Sequence, residues 1–119
     1  MSPREVVDAW LRSFNAGDSA GIATLYAEEA VNHQVALEPV TGRAAIERFH
    51  RDVFAGGPLV CVAVNVVADA EWVAIEWADP QGVRGAGFFR VVAGLIVEQR
   101  GYWDSVALAR AHPGLPGHR

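Results

Sequence analysis

The chain has 119 residues, 51% hydrophobic and 20% charged, which suits one globular domain with a single core and excludes a disordered chain. A formal net charge of −4 without a basic cluster argues against a nucleic-acid partner. No apolar run approaches the roughly 20 residues of a membrane helix, "MSPREVVDAW" lacks a signal-peptide core, and Cys61 stands alone, so the expected setting is cytoplasmic, off the membrane and without disulfides.

Ser2-Pro3-Arg4-Glu5 opens the first helix as a capping box with proline at its first position. Val6, Val7, Trp10, Leu11 and Phe14 recur at helical spacing, and Asn15-Ala16-Gly17 stops the run. Asp18 is placed to cap a second helix with Ile22, Leu25 and Tyr26 as its buried stripe. "VNHQVALEP", residues 31–39, reads as a strand in which Asn32 and Gln34 share one face and His33 takes the other. That pair of amides contacts a ligand if its face looks into a cavity, and carries no function if it looks at water.

"TGRAAIERFHRDVFAGGP" predicts a third helix that buries Ala45, Ile46, Phe49 and Val53, with the charges of "RAAIERFHRD" as its solvated face. Four strands follow, at about 59–68, 72–79, 83–92 and 95–104, joined by links short enough for antiparallel neighbours. Asp104 caps a last short helix through Arg110, and the proline- and glycine-rich tail 112–119 is expected to be loose. Neither a repeat nor a linker divides residues 1–119, so one domain is expected. "LVCVAVNVVA" is apolar on both strand faces apart from Asn65, and three helices cover only one side of a sheet. The uncovered side calls for a partner, and the expectation is a homodimer through the outer sheet face.

Helices followed by a curved antiparallel β-sheet make an α+β cone, with three N-terminal helices packed on the concave face. "NAGDSAGIATLYAEEAV", "GRAAIERF" and "GFFRVVAGLIVEQRGYWD" resemble the nuclear transport factor 2-like (cystatin-like) superfamily, and its SnoaL-like branch in particular. Ketosteroid isomerases and limonene epoxide hydrolases are cousins in it. The resemblance spans about residues 3–111 and implies a ligand cavity inside the cone, with dimers formed through the other sheet face. It also implies that Asn32 and Gln34 look inward.

The same resemblance places Asp79 on a hydrolase carboxylate, whereas Trp77 replaces the hydrolase arginine and Gly101 the second acid. Epoxide opening of the limonene type needs one group to activate water and another to donate a proton, so it is not expected. The isomerase base falls on Gln34 and its tyrosine on Trp10, and an amide takes no proton at neutral pH, so steroid isomerisation is not expected either. Trp10, Trp77 and Trp103 should line the cavity, with Asn32, Gln34, Gln99 and Asp79 as its sparse polar contacts.

Asp79 carries two readings. It is either a buried acid/base with a raised pKa or the first residue of an Asp-Pro-Gln-Gly turn. His33 is the second catalytic candidate, and only a bulge would turn it inward. Glu76, Glu98, Arg100, Tyr102 and Asp104 fall on the outer side. The histidines show no metal-ligand spacing, and neither a metal nor a cofactor is expected. The resulting reading is a cofactor-independent protein that binds a small apolar or polycyclic molecule and performs a cyclisation, isomerisation or dehydration. The alternative is a non-catalytic binding or dimerisation module.

Overall fold

A computed structural model describes residues 1–115. In chain order it holds α1 (Pro3–Asn15), α2 (Ser19–Ala23), β1 (Tyr26–Gln34), β2 (Val40–Thr41), α3 (Arg43–Ala55), β3 (Val62–Asp69), β4 (Trp72–Ala78), β5 (Arg84–Val92), β6 (Leu95–Trp103) and α4 (Ser105–Ala111). The capping box of α1 is complete, with Ser2 and Glu5 each accepting the other's backbone N–H at 3.2 and 2.9 Å. Its buried face is Val6, Val7 and Trp10.

α2 is shorter than its apolar spacing suggests. Asp18 accepts from Gly21 N, and Thr24 Oγ1 donates back to the Gly21 carbonyl at 2.6 Å, which ends the helix after little more than a turn. Leu25 and Tyr26 are therefore not a helical stripe, and Tyr26 opens β1. α3 buries Ile46, His50 and Val53, so one histidine of the charged-looking "RAAIERFHRD" belongs to the core and not to the solvated face.

The six strands form one open sheet in the order β2-β1-β6-β5-β4-β3. β3 to β6 are an antiparallel meander, turned tightly at Ala70 and at Ala93-Gly94, all at positive φ. β1 runs parallel to β6, so the sheet is mixed and not wholly antiparallel. Local links could not reveal this pairing, because the chain makes α3 and the whole meander before β6 returns beside β1.

Register shifts in β3 and β6/β5 accompany the sheet's curvature. α1 and α3 pack on its concave side around Ile22, Ile46, Val73, Phe89 and Ile96. A second apolar cluster joins Val53, Val83, Leu108 and Leu115. The expected loose tail is thus docked as far as Leu115, which is 8% exposed, and residues 116–119 lie outside the described part. The docking is close: a Cβ on Gly56 would stand 2.6 Å from the Gly114 carbonyl oxygen, so only glycine fits there. Among the described residues, no helix is long and apolar enough to cross a membrane.

Candidate functional site

Between the helices and the concave sheet lies a cavity of about 120 Å³. Trp10, Trp77 and Trp103 stand in its wall with Phe14, Phe49 and Phe89. Its polar wall residues include Gln34, Gln99 and His50, supplied by β1, β6 and α3.

Strand register positions the two glutamines. Asn32 lies beside Gln99 and Gln34 beside Gly101, on the inward face. A Cβ on Gly101 would sit 1.8 Å from Gln34 Oε1, so this glycine makes the space that the Gln34 amide occupies. Gln34 Nε2 donates to Asn32 Oδ1 at 2.7 Å. Asn32 is itself 1% exposed and stands behind Gln34, outside the cavity wall, with Nδ2 unpartnered among the described residues. Trp103 Nε1, in the wall, is likewise unpartnered. His33 pairs with Arg100 on the opposite face, because the irregularity in β1 falls between Tyr26 and Val31 and leaves the alternation at 32–34 intact.

A chain of donors fixes the orientation of Gln99. Trp10 Nε1 can only donate, and it gives its proton to the Tyr26 hydroxyl at 2.9 Å. The hydroxyl in turn donates to Gln99 Oε1. With its oxygen engaged there, Gln99 is left with its NH2 group for the cavity. Tyr26 is fully buried, and burial raises its pKa, so it stays a neutral hydroxyl.

His50 is 2% exposed. Its Nδ1 lies 3.0 Å from the Ile46 carbonyl, an acceptor, so Nδ1 carries the proton and Nε2 keeps its lone pair. Burial among the rings of Trp10, Phe14, Phe49 and Phe54 pushes its pKa down to about 4, against the smaller opposing effect of the Ile46 bond. It is a neutral imidazole at neutral pH.

Asp79 is buried but stands outside the cavity wall. Its Oδ1 accepts from Gln81 N and Val83 N, both at 2.9 Å, and its Oδ2 meets His112 Nε2 at 2.5 Å. Burial favours its neutral form, but the His112 bond and the two backbone bonds outweigh burial and hold the carboxyl below its ordinary value. The expectation of a raised pKa is therefore corrected, since these three partners stabilise the charged form. The turn geometry is the one its Asp-Pro-Gln-Gly sequence calls for.

On the outer side, Arg84 pairs with Glu76, Arg100 with Glu98, and the Arg100 guanidinium lies 5.0 Å over the Trp72 ring. Tyr102 is 44% exposed there, whereas Asp104 instead caps α4 through Val106 N and Ala107 N. Among the described residues, no group of three or more His, Cys, Asp or Glu side chains is arranged to hold a metal ion. Cys61 is buried in the wall with its thiol pushed up to about 12, mainly by burial, and is no nucleophile.

Sequence reasoning missed Tyr26, His50 and His112. The signal for His50 was present: it lies four residues after Ile46 and three before Val53, on the same helical stripe.

Several solved structures share this architecture. A protein from Catenulispora acidiphila with a ketosteroid isomerase-like fold, in complex with trimethylamine, is 23% identical, with TM-score 0.81 over 98% of this chain and 96% of that one. An LEH-like epoxide hydrolase of M. tuberculosis is 20% identical, with TM-score 0.77 over 92% and 87%. The epoxide hydrolase/cyclase-like enzyme of pyran ring formation in the polyether salinomycin is 21% identical, with TM-score 0.78 over 88% and 92%. At such identities the likeness establishes the fold, nuclear transport factor 2-like, and nothing finer. No curated protein matches the sequence. The SnoaL-like domain matches residues 7–99, most of the chain, and the chain belongs to that family.

Proposed function

We propose that the protein binds a small, largely apolar molecule carrying a polar oxygen in its cone and performs a cofactor-independent acid/base step on it, of the isomerase, cyclase or dehydratase type. The observation that carries this reading is the cavity wall: apolar over most of its area, with Gln34, Gln99 and His50 among its few polar groups. An engineered cavity of about 150 Å³ holds benzene. A volume of about 120 Å³ therefore suits a single ring and narrows the earlier expectation of a polycyclic molecule. Related proteins described as an epoxide hydrolase and an epoxide hydrolase/cyclase-like enzyme make acid/base chemistry a consistent use of this fold. Titration with monocyclic ketones, followed by tryptophan fluorescence, tests the reading. Saturable quenching by one-ring ketones but not by a four-ring steroid is expected, and no saturable response to any ketone would contradict it.

The outer sheet face favours a second element of the proposal, a homodimer. Val62, Val64 and Val67 are each at least half exposed on β3, and Phe88 and Tyr102, which pack on each other, are exposed two and three strands away on β5 and β6. An apolar edge of this length normally finds cover. Light scattering at micromolar concentration should give twice the chain mass, and a monomer would remove this element. The protein remains a small-molecule binder in either case.

A further inference from the structure

We propose that His50 is the proton-accepting catalytic residue of this cavity, and that its substrate is a monocyclic carbonyl compound whose oxygen is held by the Gln99 amide N–H. The inference rests on the reading of the cone as a small-molecule acid/base site, and adds the base, the oxygen donor and the substrate class. Three observations carry it.

The first is the fixed tautomer. Nδ1 is committed to the Ile46 carbonyl of its own helix, which leaves the lone pair on Nε2, on the other side of a ring that stands in the cavity wall. The second is the relay from Trp10 through Tyr26 to Gln99, which leaves the Gln99 amide as a donor for the ligand. The third is their proximity. The His50 ring lies 6.1 Å from the Tyr26 ring, whose hydroxyl holds Gln99, and 6.3 Å from the Trp10 ring. Acceptor and donor thus share the wall of one cavity, the arrangement that abstraction of a proton next to a carbonyl calls for.

The step balances without a co-reactant. The Nε2 lone pair takes a proton from the carbon α to the carbonyl, and the C–H pair becomes the carbon–carbon π bond of an enolate. The carbonyl π pair moves onto oxygen, where the Gln99 N–H stabilises it. The imidazolium exchanges its Nε2 proton with solvent and delivers a proton to the same carbon or to a conjugated one, and neutral His50 is regenerated. A pKa of about 4 does not disqualify the base. A carboxylate base of about 4.6 performs such a step when the oxyanion is stabilised. Here the imidazolium–enolate pair also attracts more strongly than in water, because the cavity wall is mostly apolar.

The test uses cyclohexanone, which fits a one-ring cavity. Binding is read from tryptophan fluorescence, and exchange of its α-hydrogens is followed by NMR in D2O near neutral pD. The wild type should bind it and accelerate deuteration over buffer. His50→Phe, which keeps the ring packing, should bind within about threefold of wild type yet lose at least about 100-fold in exchange rate. His50→Gln serves as the second variant, with the same loss expected, should the phenylalanine disturb folding. Wild-type exchange rates in either folded variant would overturn the proposal, as would a wild type that binds cyclohexanone without exchanging it. If cyclohexanone does not bind at all, the reading of the cavity fails and the assignment of His50 fails with it.

Discussion

The Asp79 carboxylate and the His50 imidazole are both buried, and their surroundings treat them in opposite ways. Asp79 has Oδ1 shared between two backbone N–H groups and Oδ2 on His112, so both of its oxygens are engaged. His50 spends one nitrogen on its own helix, and its ring stands in a cavity wall. The first pattern is how a protein holds a turn and docks its C-terminal segment, since His112 leads into the stretch that seats Leu115. The second leaves binding capacity for something else. A buried polar group whose oxygens are engaged within the fold holds the scaffold, and one with open capacity at a void is a candidate to meet a ligand.

The comparison breaks most visibly at Asp79. Asp79→Ala would leave the buried Val83 N–H, the more exposed Gln81 N–H and His112 without their partner, at a cost of up to about 3–5 kcal/mol, as for a broken buried pair. Urea denaturation should read this as a lower midpoint. A loss below about 1 kcal/mol would show that the turn does not depend on the carboxylate.

Acidity separates the two groups further. The folded protein keeps His50 neutral down to about pH 4, whereas the unfolded chain takes that proton near 6.5. Stability from this site is therefore complete above 6.5 and falls as pH drops toward 4, by about 3 kcal/mol in all. His50→Phe should flatten that window. Asp79, whose folded value is depressed, contributes stability above the ordinary carboxylate pKa and loses it as pH falls through its lowered folded value. Asp79→Asn should flatten only this more acidic limb. Denaturation midpoints measured from pH 7 to 3 would show whether the windows are separate, and a wild-type slope between 6.5 and 4 in His50→Phe would contradict the account.

Smaller effects sharpen the ligand side. Tyr26→Phe removes the hydroxyl that orients Gln99, which should cost about 1–2 kcal/mol of stability. It should also weaken cyclohexanone binding several-fold, because the amide is then free to rotate. Unchanged affinity would mean that the relay does not set the amide. At the low end, Gln34→Ala should weaken binding several-fold, as loss of a hydrogen bond of about 1 kcal/mol implies, whereas His33→Ala should leave it nearly unchanged. Equal losses in the two variants would contradict the facing seen in β1.

Much of this was legible before the fold was seen. Apolar spacing marked α1 and α3, the short links marked the meander, and strict alternation separated Asn32 and Gln34 from His33. What escaped was set by distance or by masking. The parallel β1–β6 pair joins segments separated by most of the chain, and no local pattern encodes it. His112 meets Asp79 across 33 residues, from a tail whose prolines and glycines read as loose. His50 was hidden by its charged neighbours Arg48, Arg51 and Asp52, although helical geometry puts it on the Ile46–Val53 stripe. Asp79 carried both an acid/base and a turn reading, and its Asp-Pro-Gln-Gly neighbours pointed to the turn bonds, whereas the His112 contact lies too far along the chain to be read locally.

The most direct test of the central claim titrates cyclohexanone into Gln99→Leu and Asp79→Asn side by side, at a temperature where circular dichroism shows both folded. Gln99→Leu should bind several-fold more weakly than wild type, and Asp79→Asn, though less stable, should bind within about twofold of it. The reverse pattern, weak binding by Asp79→Asn with full affinity in Gln99→Leu, would make the aspartate the ligand's partner and contradict the account.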